Sequence, residues 1–262
     1  TLLDSDDVST LYNARNGTGG YTPPAPSGQG PTYSEEVLGH SPIGYWKMDE
    51  GSGTTMQDSS TNNNDGSYSG LPTMGISGPF SGATGVTFNG IDQYASVPDT
   101  ADLDLLATDD FSVVLWFKIG SGEWGDTDWL VTRNGNGETD QSWDVRCYAD
   151  DQFRSRLFGS GGAVDVLSAS TTNCDDGAWH MLALTVDISS ATGGQWYLDG
   201  ATYGSTTDVS GADSSRDSDY TLYFARRGAG SYHKGSLSQV ALFDKELTSS
   251  DISDLWTAGG GA

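Results

Sequence analysis

The amino-acid sequence predicts an all-β protein, a two-sheet antiparallel jelly-roll sandwich. Three observations lead there. Short apolar runs that alternate with period two recur at close intervals, clusters of Gly, Asn and Asp break them, and only one stretch, TSSDISDLWTA near the end, carries a helical pattern. Many short strands with turn chemistry between them bury their apolar faces by packing one sheet on another.

Taken in order, residues 18–33, TGGYTPPAPSGQGPTY, are rich in Gly, Pro and Ser and lack an apolar period, so they read as a semi-extended linker. With the lead-in SEEVLGHSP, the linker is expected over 18–40 and one complete domain over 41–262. IGYWKMD supplies the first strand, and VTFNGIDQYASV two short strands around a turn. FSVVLWFKI sets Phe111, Val113, Leu115, Phe117 and Ile119 on one face. WLVTR, SWDVRCYA, FRSRLFG, WHMLALTVD, TLYFARR and LSQVALF are further strands, and TGGQWYLDGATYG reads as a hairpin closed by an Asp-Gly turn. Trp46, Trp116, Trp179 and Trp196 fall within strand patterns and are expected in the core. Trp124, in the Gly/Asp-rich GSGEWGDTDW, is expected to be exposed and to stack on a sugar ring.

The chain also resembles itself. DVSTLYNARNG at 7–17 matches DISDLWTAGGG at 251–261, with Leu3, Asp7, Leu11 and Gly17 facing Leu247, Asp251, Leu255 and Gly261. Residues 1–17 are therefore read as the end of a preceding copy in a tandem array; two unrelated helix starts would be the plainer explanation.

Charge narrows the partners. The net charge is -24, with 30 Asp against 6 Glu and only 4 Lys against 8 Arg. Phosphate binding needs clustered Lys and Arg, so nucleic acid is excluded as a partner, and no apolar run is long enough for membrane insertion. Self-repulsion at this charge calls for screening by salt or bound cations, which suggests a saline or calcium-containing habitat; an ordinary acidic secreted domain is the alternative. Cys147 and Cys174 lie outside any zinc pattern and suit either a disulfide in an oxidising compartment or two buried thiols.

SEEVLGHSPIGYWKMDEGSGTTMQDSSTNNNDGSYSG, GVTFNGIDQYASVP, FSVVLWFKI, DDGAWHMLALTVD, WYLDG and KGSLSQVALFDKELTSSDISDLW occur in the order of, and resemble, the LamG-like modules of the concanavalin A-like lectin/glucanase superfamily. The resemblance covers residues 34–262. It implies a jelly roll of about a dozen strands, placement outside the cell on bacterial, archaeal or viral surface proteins including tail and fibre proteins, and glycan binding.

Glycosidases of that superfamily carry a Glu-x-Asp-x-Glu-like series on one strand. The nearest stretch here, ETDQSW, offers Glu138 and Asp140 but Ser142 in place of a third carboxylate, and no GxSxG, P-loop or HExxH is present. Catalytic residues are therefore not expected. A binding reading needs polar loops beside an aromatic platform, and two qualify: RNGNGETDQSW, with Arg133, Asn134, Asn136 and Asp140, and RRGAGSYHKG, with Arg226, Arg227, Tyr232 and His233. In the pentraxin branch the corresponding loops hold calcium, but Arg226 and Arg227 stand where carboxylates belong, which suits an acidic sugar or carboxylate better. The plainer role for these arginines is pairing with neighbouring Asp. Asp58, Asn62, Asn64 and Asp65 in DSSTNNNDG, and Asp92 in NGIDQY, are oxygen-rich enough for Ca²⁺ and equally suited to turns.

The expectation is thus a non-catalytic adhesion module that requires no cofactor, with Ca²⁺ as a candidate ligand. It would bind a cell-surface glycan or glycoprotein, within a tandem-repeat viral fibre, tail, decoration or cell-surface protein of a saline habitat. Neighbouring repeats or virion subunits are further partners, with homo-oligomers as in fibre proteins, although no heptad stretch marks them. A purely structural spacer is the competing class, and a glycoside hydrolase the third.

Overall fold

The computed structural model describes residues 30–121, 123, 127–133, 143–148, 152–159, 162–170, 175–212, 220–228 and 230–261. Two large antiparallel sheets face each other. The first contains β1 (Gly44–Trp46), β4 (Thr73–Ser77), β5 (Thr84–Asn89), β7 (Phe111–Lys118), β12 (His180–Val186), β13 (Gly194–Leu198), β14 (Ala201–Thr202) and β18 (Lys234–Phe243), in the order β14-β13-β12-β7-β18-β5-β4. β18 pairs with β5 through Lys234–Leu237 and with β1 through Val240–Leu242, the change of partner falling at a bulge where Gln239 adopts φ +54°.

The second sheet contains β2 (Thr55–Met56), β3 (Gly66–Ser69), β6 (Tyr94–Val97), β8 (Thr127–Arg133), β9 (Trp143–Tyr148), β10 (Gln152–Gly159), β11 (Gly162–Ser170) and β15 (Leu222–Phe224), in the order β11-β10-β9-β8-β15-β6-β3-β2. A two-stranded hairpin, β16 (Arg226–Arg227) with β17 (Ser231–Tyr232), follows β15.

The period-two reading of β7 holds for its first face. Phe111, Val113, Leu115, Phe117 and Ile119 join the core between the sheets, with Trp46, Trp143, Trp196, Phe153 and Phe224. Its other face is also buried, because two helices cover the back of the first sheet: α1 (Tyr33–Gly39) and α2 (Ser249–Ala258) enclose Val114 and Trp116 with Tyr33, Val37, Ile252 and Leu255. Trp256 of α2 stacks on Trp116 at 5.3 Å. Trp179 is half-buried at the margin of this cluster, its indole N–H donating to the Ser77 carbonyl.

α1 is a correction, for the sequence pattern shows no helix there. Seven residues are too few for a visible period and too few to be stable alone. A capping box holds the helix, with the Thr32 hydroxyl accepting from the Glu35 N–H and the Glu35 carboxylate accepting from the Thr32 N–H. Burial of Tyr33 and Val37 does the rest. The Asp-Gly hairpin turn is as expected: Asp199 and Gly200 take φ +50° and +78°, the left-handed pair that a two-residue β-turn of this hand requires.

Candidate functional site

On β6, β9, β10 and β15 of the second sheet, alternate residues leave the core and line the sheet's outer face. Leu222 and Phe224 point inward and Tyr223 outward; Ala95 and Val97 inward and Tyr94 outward. Trp143, Val145 and Cys147 point inward, which puts Asp144, Arg146 and Tyr148 outside, and inward Phe153 and Leu157 put Arg154 and Arg156 outside. The β16-β17 hairpin lies over this same face, the Thr132 hydroxyl donating to the Arg226 carbonyl at 2.8 Å. Five of the chain's eight arginines, Arg146, Arg154, Arg156, Arg226 and Arg227, thus gather on one surface of a protein with net charge -24.

Arginine and aromatic rings alternate across the face. The Arg154 guanidinium lies 4.1 Å from the Tyr148 ring; Arg146 lies near both Tyr148 (5.7 Å) and Trp129 (4.8 Å); Arg227 is also over the Trp129 ring, at 4.5 Å. Beyond them, Arg226 is held among Tyr94 (4.3 Å), Tyr223 (4.9 Å) and Tyr232 (5.6 Å). Each such contact contributes about 0.5–2 kcal/mol depending on how dry it is. Trp129 and Arg146 are buried and form the floor; Tyr94, Tyr148, Arg154, Arg156, Tyr223, Arg226 and Tyr232 are partly exposed and form the accessible part.

Two carboxylates share the face. Asp165 accepts both fork donors of Arg156, at 2.8 and 3.1 Å, and this bond holds its carboxyl below the ordinary range. Asp144 is buried, and desolvation pushes its carboxyl up to about 6 against the opposing pull of Arg146. On β9 the outward series is therefore Asp144, Arg146 and Tyr148, with a single carboxylate.

The structure brings Arg226, Arg227 and Tyr232 together as the sequence suggested. His233 is fully buried, its backbone N–H donating to the Ala225 carbonyl. Arg133 is a correction: it is fully buried and clamps the chain from inside, donating to the carbonyls of Leu103 and Tyr220 and to the carboxylates of Asp99 (2.6 Å) and Asp104, so no ligand reaches it. Trp124, Asn134, Asn136, Glu138 and Asp140 lie outside the described residues. So does Cys174; Cys147 is buried in the core.

The calcium candidates are engaged in hydrogen bonds within the protein. Both oxygens of Asp58 are saturated, one by the N–H groups of Tyr45 and Ser60, the other by the Ser60 hydroxyl and the Asn64 N–H, all at 2.7–2.8 Å. Asp65 accepts from the Asp58 N–H, the amides of Asn62 and Asn64 donate to the Ile43 carbonyl, and Asp92 accepts from Asn89. The local bonds shape the two turns, those to Tyr45 and Ile43 tie the 58–65 loop to the first strand and the residue before it, and among the described residues no group of three or more His, Cys, Asp and Glu converges as for a metal ion.

Trp129, Arg146, Tyr148, Arg154, Arg156, Tyr94 and Tyr223 were not singled out by sequence reasoning. For Arg146, Tyr148, Arg154 and Arg156 the signal is present in SWDVRCYA and FRSRLFG, where charged and aromatic residues alternate with apolar ones. What the sequence does not show is that β9, β10, β15 and β6 are neighbours of, or one strand removed from, β8.

Residues 89–253 match the model of a laminin G-type family described as the concanavalin A-like lectin/glucanases superfamily, and the chain belongs to that superfamily. Its fold is similar to the binding domain of Paraclostridial Mosquitocidal Protein 1 (TM-score 0.63, 15% identity, 82% of this chain and 52% of that one). It is likewise similar to the botulinum neurotoxin serotype D ligand-binding domain in complex with N-acetylneuraminic acid (0.64, 12%, 85% and 52%). A Trypanosoma rangeli sialidase in complex with a difluorinated nononic acid aligns over 90% of this chain and 34% of its own (0.58, 20%). At these identities the likeness establishes the fold, and the chain spans about half the length of the two toxin domains and a third of the sialidase. A direct sequence comparison with curated proteins finds no match. Among the described residues no helix is long and apolar enough to cross a membrane.

Proposed function

We propose that this chain is a non-catalytic glycan-recognition module that works outside the cell, and that it binds sugar on the outer face of the second sheet. The observation that carries the reading is the group of Tyr94, Tyr223 and Tyr232 around Arg226. Tyr94 packs within 5.9 Å of Tyr223 and 6.2 Å of Tyr232, ring centre to ring centre, and among the described residues none of the three hydroxyls has a hydrogen-bond partner. Sugars present apolar ring faces and hydroxyls together, and a cluster of partly exposed tyrosines answers both. The single carboxylate of the β9 series supports binding over hydrolysis.

The finer reading is a module repeated along a virion fibre or cell-surface protein in a saline habitat. Support for the repeat comes from the α2 region: buried Leu247 just before the helix, buried Ile252 and Leu255 within it, and the stacking Trp256 are the positions matched by Leu3, Val8, Leu11 and Tyr12. Support for the habitat is the charge of -24.

A glycan array followed by titration calorimetry tests the function. Wild type should retain a defined set of glycans without releasing any sugar, and Tyr223→Ala and Tyr232→Ala should each weaken retention about tenfold while the far-UV spectrum is unchanged. An array that stays blank, or turnover of a bound glycan, would overturn the proposal.

A further inference from the structure

We infer that the glycan recognised by this face is acidic, and that Arg226 grips its anionic group. The inference rests on the glycan-binding reading above and adds the class of sugar. Arg226 is treated differently from the chain's paired arginines. Arg133 is neutralised by Asp99 and Asp104, and Arg156 by Asp165. In a chain with 36 acidic residues against 12 basic ones, a carboxylate partner is easy to supply. Yet among the described residues Arg226 has none within ion-pair distance, and its buried Nε meets no acceptor. Three tyrosine rings hold it instead.

That difference has a chemical consequence. A carboxylate partner would cancel the charge of an arginine, whereas ring faces orient the guanidinium and leave its charge and its terminal Nη donors available. A guanidinium held this way matches a carboxylate or sulfate group with two parallel hydrogen bonds. The surrounding field agrees: the five arginines of this face against Asp144 and Asp165 leave a local excess of three positive charges among these seven residues, in a chain of net charge -24. An anionic sugar is repelled elsewhere and drawn here. The tyrosine hydroxyls around Arg226 then serve the neutral part of the same sugar.

The test is an array carrying neutral glycans beside their sialylated, uronic-acid and sulfated derivatives, read for wild type, Arg226→Gln and Arg226→Lys at low and high NaCl. The expected result is at least tenfold preference for acidic derivatives over their neutral parents, weakened by salt. Arg226→Gln should reduce the preference to near unity while retaining the neutral contribution, and Arg226→Lys should keep part of it. The sialylated and uronic-acid arms against the sulfated arm identify which anion is held. Neutral glycans bound as tightly as acidic ones would overturn this inference and leave glycan binding standing; a blank array would overturn both. Should Arg226→Gln fail to fold, Arg226→Lys must still lower the ratio, since a point charge lacks the planar fork. A DNA oligomer retained as well as the acidic glycans would also refute the inference, because the face would then be a general polyanion surface.

Discussion

Replacing Asp144 by Asn should make the protein more stable at neutral pH, and the size of the gain follows from where Asp144 sits. The residue is 1% exposed, and burial lifts its carboxyl to about 6 in the folded chain, against about 3.9 in an unfolded one. The folded state therefore holds a proton that the unfolded state has released, throughout the interval from about pH 4 to about pH 6. Stability associated with this group is complete below the lower value, declines as pH rises through the interval and levels off above the upper one. Two pH units at 1.36 kcal/mol each give roughly 3 kcal/mol. Asn cannot ionise, and its Oδ1 can still accept the Arg156 N–H that Asp144 holds at 3.2 Å. Urea denaturation of both proteins from pH 3.5 to 8 isolates the effect, because the other carboxylates cancel in the difference. The two should be equally stable near pH 3.5 and differ by about 3 kcal/mol above pH 6.5, the Asp144→Asn variant being the more stable. A difference that is flat across this range, or one in which wild type gains on the variant as pH rises, would refute the assignment of Asp144 as a buried, desolvated acid.

Other residues give equally direct tests. Asp58→Ala leaves four donors without their acceptor and should cost about 3–5 kcal/mol in a urea titration, whereas EDTA or millimolar Ca²⁺ at fixed ionic strength should leave the melting temperature of wild type unmoved; a calcium-specific rise would restore a metal reading of that loop. Gly200→Ala places a Cβ 2.7 Å from the Trp256 side chain at φ +78°, and should lower stability by about 1–3 kcal/mol. Its melting temperature should fall even at high salt. His180 is raised above the ordinary imidazole range, first by its 2.8 Å hydrogen bond to Asp199. The stability it contributes is complete below about pH 6 and lost as pH rises through the raised value, so the advantage of wild type over His180→Gln should shrink between pH 5 and pH 9.

What could be read in advance was what depends on neighbours in sequence. The alternation in FSVVLWFKI placed Phe111 to Ile119 in the core, the Asp-Gly pair placed a turn at 199–200, and the capped run after Thr248 placed α2. The family motifs in their order were equally legible. Each is local: period two, a left-handed φ, an N-cap. Arg226, Arg227 and Tyr232 came to attention for the same reason, being close together in the chain.

Tertiary structure decided the rest. The same turn-forming composition that suggested calcium at Asp58 places its carboxylate on the N–H groups of Tyr45, Ser60 and Asn64, and nothing local distinguishes a carboxylate aimed at a cation from one aimed at amides. Arg133 and Arg226 are identical in type and similar in setting along the chain, yet one is sealed inside against Asp99 and Asp104 and the other rests among tyrosines. The candidate site draws on Tyr94, Tyr148, Arg154, Tyr223 and Tyr232, residues up to 138 positions apart. Sequence by itself determined where strands run and, where apolar and polar residues alternate, which of their faces turns inward. Only the order in which the sheet sets its strands side by side determined which polar faces meet, because that order is fixed by long-range backbone pairing and by the packing of one sheet on the other.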